Sequence, residues 1–436
     1  MAVKYQAFPG MDDILPGEVE KWQWLEEKAR TLFSVKRFRE IRTPILEPTE
    51  LFTRAIGETT DIVHKEMYTF QDRGERFMTM RPEMTASVAR AVTEHGLLKT
   101  SPNLSLFYMG PMFRAERPQA GRKRQFHQIG AELVNVPALE STGGAGGDLT
   151  ILAVIRDFLQ SLGIQNLKFR INDLTLINGE NGDKVRSRIR DYFESCKSQL
   201  DPDSLFRLDK NVLRIFDSKI PQTRALVDAL PWNEVAPASD YFLSLCEKLR
   251  QAGVPLEVEP KLVRGLDYYT GVVFEVASSS LGAQDALAGG GRYDRLYEQI
   301  GSSPVPCTGF SIGVERLLMV LEKNAPSITE QMKESRVYFI PLCESVWDAE
   351  SVYVEDAARS LRQFGFQTEV AKPSLKLGDQ LKKAAKAEAR YVVIAGEKER
   401  QSSVFQVKNM DLNEQKEIRL GELFNHLVTQ KGIKIV

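Results

Sequence analysis

Apolar residues recur at helical or strand spacing along most of the chain. After Gly17 they return every three or four positions, which predicts an amphipathic helix that ends near Lys36. Residues 38–47 have strand character but are interrupted by Thr43-Pro44, so we expect a sheet edge or a chain crossing there. Residues 104–116 and 124–134 are strand-like and flank turn residues, which predicts a long β-hairpin.

The later pattern predicts further elements and a domain order. Residues 175–255 have the pattern of an inserted helical module, and strand character returns at 261–276. A helix over 312–321 is predicted with Ser311 as its N-cap. A flexible glycine-rich connector is predicted at 143–147 and a linker at 323–335. Strands and helices alternate from 337 to 395, which is typical of a small α/β domain with a largely parallel sheet. The expected domains are 1–174 and 256–325 as one core, 175–255 as its insertion, and 331–436 as a separate unit.

Composition excludes several classes of protein. The chain has 58 Lys and Arg against 59 Asp and Glu, so no charged tail indicates a nucleic-acid or membrane partner. Its 4 Cys and 4 His are scattered, which argues against a disulfide scaffold and against a dense zinc site. With no apolar run long enough to span a membrane and no signal-like start, the expected compartment is the cytoplasm.

The predicted hairpin has candidate chemistry. Five of the eleven residues from 114 to 124 are cationic, and guanidinium groups match phosphate oxygens well. An isolated basic turn is more often a solvated surface, but here the adjoining strand is polar on one face. Period-two alternation places Arg124, Phe126, Gln128, Gly130 and Glu132 on that face, where they need partners or a ligand.

Two other segments place a cation in apolar surroundings. Arg264 lies between Val263 and Leu266 in the predicted strand and is followed by Tyr268 and Tyr269. An Arg buried there without an anion costs several kcal/mol, on the order of 3–5. Arg316 stands in the predicted helix after Gly309 and Gly313; alone, it is more often a surface Arg whose stem covers apolar neighbours.

These segments together resemble one family. Residues 114–132 are similar to motif 2 of the class II aminoacyl-tRNA synthetases, 309–316 to motif 3, and 38–44 more loosely to motif 1. Residues 262–271, Leu-Val-Arg-Gly-Leu-Asp-Tyr-Tyr-Thr-Gly, resemble the signature of histidyl-tRNA synthetases. The resemblance implies an α+β fold: an antiparallel catalytic sheet, a helical insertion, a C-terminal anticodon-binding domain, and a homodimer formed through the motif 1 region.

The resemblance also implies roles for named residues in activating histidine with ATP and Mg²⁺. Arg114 and Arg264 would meet the α-phosphate and the attacking carboxylate, and Arg122 and Arg124 the β- and γ-phosphates. Arg316 and Phe126 would sandwich the adenine. No metal ligand is assigned to the protein's side chains.

Histidine selection and tRNA binding are assigned in the same way. Glu132 and Tyr268 would bond the two imidazole nitrogens, and Tyr269 would lie near the same pocket. Glu83, Thr85 and Gln128 would hold the α-amino and carboxylate groups, although Glu83 after Pro82 also fits a carboxylate at a helix start. Arg117 and Gln119 are the candidates for the acceptor end of tRNA(His).

Two alternatives stay open. A non-catalytic paralogue serving as the histidine-sensing regulatory subunit of ATP phosphoribosyltransferase would keep the amino-acid pocket. Such a protein could lose phosphate-binding arginines and the C-terminal domain, whereas Arg114, Arg264 and Arg316 are present here. A class II synthetase for another amino acid is disfavoured by Glu132 with Tyr268 and Tyr269.

Overall fold

The computed structural model describes residues 5–58, 60–119, 121–138, 146–178, 182–281, 285–324, 336–374 and 376–430. Contacts divide the chain into two compact units, Met1–Ala325 and Pro326–Val436. The connector predicted at 143–147 and the linker predicted at 323–335 lie for the most part outside the described residues.

Two sheets organise the first unit. Its strands are β1 (Arg39–Glu40), β2 (Leu46–Pro48), β3 (Tyr68–Gln71), β4 (Phe77–Met80), β5 (Leu104–Phe113), β6 (Gln125–Val134), β7 (Leu167–Asp173), β8 (Leu256–Val258), β9 (Val272–Ser278), β10 (Ala286–Arg292) and β11 (Cys307–Gly313). The large sheet has the order β1-β5-β6-β11-β10-β9-β7-β8 and is antiparallel except at its two outer pairs. A small antiparallel sheet has the order β2-β4-β3. The expected antiparallel core is confirmed.

Helices cover this sheet and form the module between β7 and β8. They are α1 (Val19–Val35), α2 (Thr49–Ile56), α3 (Thr85–Glu94), α4 (Leu97–Thr100), α5 (Gly147–Ser161), α6 (Thr175–Asn178), α7 (Gly182–Ser195), α8 (Pro202–Lys210), α9 (Pro221–Ala229), α10 (Trp232–Val235), α11 (Asp240–Gln251), α12 (Leu296–Gln299) and α13 (Val314–Asn324). Shorter helical turns are a π-helix at Ile62–Glu66 and 3₁₀ turns at Lys197–Gln199, Val212–Asp217 and Ser279–Leu281.

An aromatic cluster fixes α1 and α5 on one face of the sheet. The ring of Phe33 on α1 lies 4.9 Å from Phe107 of β5, 5.6 Å from Phe158 of α5 and 6.4 Å from Phe310 of β11. Phe107 and Phe310 both pair in register with Ala131, so these residues share a face. Glu132, one residue along, therefore projects from the opposite face.

The sheet edge expected at 38–47 is confirmed, because β1 and β2 are edge strands of different sheets and Pro44 lies between them. Two other sequence predictions in this unit are wrong. Strand β9 begins only at Val272, so Arg264 lies in the loop before it. Ser311 is inside strand β11 and not a helix N-cap; α13 starts at Val314.

The second unit is a five-stranded sheet with helices on both faces. Its elements are β12 (Arg336–Pro341), α14 (Ala349–Gln363), β13 (Gln367–Val370), α15 (Leu377–Lys386), β14 (Tyr391–Ala395), α16 (Glu397–Gln401), β15 (Val404–Asn409), β16 (Glu414–Arg419) and α17 (Leu420–Gln430). The strand order is β13-β12-β14-β15-β16, parallel up to β14 and antiparallel beyond. The predicted α/β alternation is confirmed, and sequence analysis missed the two antiparallel strands.

Among the residues described, no helix is both long enough and apolar enough to cross a membrane.

Candidate active site

One cavity on the face of the large sheet opposite α1 and α5 contains most of the predicted site residues. It has a volume of about 310 Å³. The predicted residues that line it are Glu83, Thr85, Arg114, Arg122, Phe126, Gln128, Glu132, Arg264, Tyr268, Tyr269 and Arg316. Strand β6 supplies Phe126, Gln128 and Glu132 in alternation, as the period-two pattern predicted.

Glu132 is the acceptor at the centre of a buried hydroxyl network. Its Oε1 accepts from Thr85 Oγ1 at 2.8 Å and from Tyr108 Oη at 3.4 Å, and its Oε2 accepts from Tyr293 Oη at 2.5 Å. Complete burial raises the pKa of the Glu132 carboxyl to about 8, although these hydrogen bonds act in the opposite direction. The network holds a carboxyl group in a closed pocket where burial favours its protonated form.

A missing side chain makes room for that carboxylate. Gly309 pairs in register with Glu132 on the neighbouring strand β11. A Cβ atom at position 309 would lie 1.6 Å from Glu132 Oε2. The carboxylate therefore lies directly over the Gly309 backbone, a position only glycine permits.

Glu83 lies at the start of α3 and also lines the cavity. Its two carboxylate oxygens accept from Thr85 N at 2.7 Å and Ala86 N at 2.9 Å, which caps the start of α3. The same side chain is 3% exposed and lines the cavity. Burial raises the pKa of the Glu83 carboxyl, while the backbone hydrogen bonds and the nearby Arg114 guanidinium oppose that rise.

Gln128 has an unused acceptor. Its Nε2 donates to Ser311 Oγ at 3.3 Å, whereas its Oε1 is not part of this hydrogen bond. That oxygen is buried and has no hydrogen-bond partner among the described residues. A buried amide oxygen that lines a cavity is suited to a cationic or N–H donor from a ligand.

The Arg264 guanidinium lies flat over strand β10. A Cβ atom at Gly289 would be 2.1 Å from Arg264 Nη2, so the guanidinium needs a glycine below it. Its Nη1 lies 2.9 Å from Glu275 Oε2 on β9, the residue that pairs in register with Gly289. The Arg264 Nε is buried without a partner among the described atoms. Glu275 therefore holds one side of the Arg264 guanidinium, and the Nε–H group remains able to donate to an anion.

The other cationic side chains considered for the cavity come from the β5–β6 hairpin and from α13. The Arg114 guanidinium lies 5.2 Å from the centre of the Phe126 ring and donates from Nε to Pro82 O at 3.0 Å. Arg122 Nη1 lies 3.5 Å from Glu116 Oε2. Arg316 donates from Nε to Gly121 O at 3.1 Å and from Nη1 to Ala286 O at 2.5 Å, and burial lowers the pKa of its guanidinium.

Three predicted residues do not line the cavity. The Arg124 Nε donates to Glu116 O at 3.3 Å, and its backbone N donates to Gly10 O at 2.8 Å. Arg117 and Gln119 are exposed beyond the end of β5. The cavity also includes residues that sequence analysis missed: Glu66, Glu116, Lys123, Glu275, Tyr293, Ser311 and Glu315. The one signal available for Glu275 was a carboxylate within the apolar strand sequence Val-Val-Phe-Glu-Val.

Fold and cavity define the class of protein. An antiparallel sheet presents a basic hairpin, β5–β6, and a strand–helix pair, β11–α13, whose arginines meet in one cavity. This is the arrangement of a class II aminoacyl-tRNA synthetase, and it brings the histidyl signature loop to the same cavity.

Comparison with known proteins specifies the family. A histidyl-tRNA synthetase model matches residues 10–317, and an anticodon binding domain model matches residues 336–430. The histidine–tRNA ligases of Synechococcus sp. (strain JA-3-3Ab) and Microcystis aeruginosa are each 41% identical to this chain; the matches cover 98% of this chain and 99% and 96% of theirs. The apo histidyl-tRNA synthetase of S. aureus superposes with a TM-score of 0.68 at 29% identity, covering 97% of this chain and 99% of that one. The chain belongs to the histidyl-tRNA synthetase family.

Proposed function

We propose that this protein activates L-histidine with ATP to histidyl-adenylate and transfers the histidyl group to the 3′ end of tRNA(His), releasing AMP and pyrophosphate. The observation that supports this best is the single cavity in which arginines suited to phosphate lie beside a buried acceptor suited to imidazole. Activation is attack by the histidine carboxylate on the α-phosphate. Positioning and charge neutralisation supply most of its catalysis, and no covalent nucleophile is required.

Histidine would bind at the closed end of the cavity. Glu132 accepts from one imidazole N–H, and the Tyr268 hydroxyl bonds the other ring nitrogen. Gln128 Oε1, which lacks a partner among the described residues, accepts from the α-ammonium group. Glu83 and Thr85 complete the contacts to the α-amino and carboxylate groups. Tyr269 closes the pocket through its ring contact with Tyr268, at 4.8 Å between centroids.

ATP would occupy the open end. Arg114 and Arg264 neutralise the α-phosphate and orient the attacking carboxylate, and Arg122 meets the β- and γ-phosphates. Arg124 is proposed for the same phosphates, which requires it to release Glu116 O. Phe126 and Arg316 line the same cavity and would stack on the two faces of the adenine.

Mg²⁺ would accompany the triphosphate. Within the described part of the chain, no group of three or more His, Cys, Asp or Glu side chains is arranged to hold a metal ion. Single carboxylates such as Glu116 and Glu315 do line the cavity. That donor set fits a Mg²⁺ ion held mainly by phosphate oxygens and water, with few protein ligands.

The tRNA and a second copy of the chain are the proposed macromolecular partners. Arg117 and Gln119 are exposed and are proposed for the acceptor end, and residues 336–430 for the anticodon. The homodimer is proposed to form through the motif 1 region. The adjoining small sheet leaves four apolar side chains exposed, Ile45, Leu46, Phe70 and Phe77. The proposed compartment is the cytoplasm.

The regulatory alternative makes a different experimental prediction. A histidine-sensing paralogue would bind histidine without activating it, whereas this chain has four arginines in the cavity and an anticodon-binding unit. We therefore expect exchange of pyrophosphate into ATP with histidine and Mg²⁺, and none with the other amino acids. Histidine binding without exchange would favour the regulatory function instead.

A further inference from the structure

The loop that presents Arg264 has little regular structure of its own. It lies between β8 and β9 and contains Tyr268 and Tyr269 as well as Arg264. Short loops without helix or strand depend on contacts from elsewhere to hold one conformation. The contacts at residues 264–267 therefore decide where the Arg264 guanidinium lies.

One side chain from the helical module reaches this loop at two points. Arg214, on the 3₁₀ turn Val212–Asp217, donates from Nη1 to Arg264 O at 2.7 Å. Its Nη2 is hydrogen-bonded to Asp267 Oδ1 as well. The two N–H groups of one planar guanidinium thus fix both ends of the segment 264–267.

Both partners in this contact are themselves held in place. Arg214 is 8% exposed, and its neighbours Val212 and Ile215 are buried in the core. Asp267 donates from its backbone N to Ile56 O at 2.9 Å at the end of α2. A Cβ atom at Gly57 would lie 2.3 Å from Asp267 Oδ2, so the carboxylate has little room to move. Contacts from the end of α2 and from the helical module therefore hold the loop on two sides.

We propose that Arg214 is a positioning residue for Arg264, so that the helical module determines the geometry of the phosphate-binding arginine. Arg214 does not line the catalytic cavity; it lines a second cavity of about 390 Å³ between the module and the loop. It therefore acts through Arg264 and not on the substrate. This inference rests on the proposed function.

A lysine cannot reproduce this contact. The guanidinium holds two donors in a fixed plane, whereas an ammonium group is one point of charge on a flexible stem. We expect Arg214→Lys to retain the pairing with Asp267 and lose the fixed bond to Arg264 O. Its activity should lie between those of the wild type and Arg214→Ala.

The test is single-turnover adenylate formation and steady-state pyrophosphate exchange without tRNA. A misplacement of about 1 Å at a reacting group costs on the order of 100-fold in rate. For Arg214→Ala we therefore expect kcat to fall about 100-fold, with a change in the KM for histidine of less than about fivefold. Arg190→Ala is the matched control, because Arg190 lines the same second cavity but is exposed and has no described bond to the loop. It should stay within about twofold of the wild type.

A double mutant separates positioning from general destabilisation. If Arg214 acts through Arg264, Arg214→Ala should cause little further loss in an Arg264→Ala background. The inference is overturned if Arg214→Ala retains wild-type kcat, or if the two losses multiply. Absence of histidine-dependent exchange in the wild type and in Arg190→Ala would refute the proposed function itself, and the inference with it. The two failures are thus distinguishable.

Discussion

Replacing Glu132 by glutamine should change the pH dependence of stability. The carboxyl is 1% exposed, and burial raises its pKa to about 8, whereas in the unfolded chain it titrates near 4.5. Between these pH values the folded protein holds a proton that the unfolded chain has lost. The free energy of unfolding therefore falls as pH rises from 4.5 to 8 and is constant above pH 8 with respect to this group.

The magnitude follows from the two pKa values. One pKa unit corresponds to about 1.4 kcal/mol, so the difference between 4.5 and about 8 amounts to about 5 kcal/mol. Glutamine keeps the shape and an acceptor oxygen but has no proton to lose. Glu132→Gln should thus match the wild type near pH 5 and exceed its stability by several kcal/mol at pH 9.

Urea unfolding at pH values from 5 to 9 is the appropriate assay. Glu298→Gln is the control, since Glu298 is exposed and pairs with Arg295 on the surface. Its difference from the wild type should be small at every pH. A difference between Glu132→Gln and wild type that does not change with pH would refute the assignment of a protonated, buried Glu132.

Three further predictions concern the site and the core around it. Arg264→Ala should reduce adenylate formation to a low residual rate, which single-turnover measurement still detects, yet leave histidine binding, measured by calorimetry, within a few-fold; equal loss of both would show that the role of Arg264 is misassigned. Gly309→Ala should remove histidine binding and cost about 1–3 kcal/mol of stability, because the new Cβ would overlap Glu132 Oε2. Gly378→Ala is the control: Gly378 has open space around it, so this substitution should change neither histidine binding nor stability. Arg292→Ala should cost about 3–5 kcal/mol in urea unfolding, because Arg292 Nε lies 3.0 Å from the buried Asp148 carboxylate, which would lose its cationic partner; a loss below about 1 kcal/mol would contradict this.

The strand–turn–strand at 104–134 was predictable because its pattern is strictly local. Alternation along β6 correctly grouped Phe126, Gln128 and Glu132 on one face, and that face lines the cavity. The same reasoning failed at Arg264, whose apolar neighbours pack against the buried core from a loop and not from a strand. Contacts between distant segments, such as Arg214 with Asp267, leave no periodic signal in the sequence.

Edges and boundaries were the other source of error. Strand β16 is almost entirely polar and exposed, so it has no apolar alternation to detect. Within residues 307–321 apolar residues recur through a strand and the helix that follows it, and pattern alone started the helix too early. Tyr293 and Glu275 reach the cavity through strand pairing across the sheet, which the sequence does not specify.

The central claim is that this cavity forms histidyl-adenylate from histidine and ATP, with release of pyrophosphate, and transfers the histidyl group to tRNA. It is tested most directly by charging total tRNA with each of the twenty amino acids in the presence of ATP and Mg²⁺. The account predicts that histidine alone is attached, and only to tRNA(His). Histidine binding with no attachment to any tRNA, or attachment of a different amino acid, would contradict it.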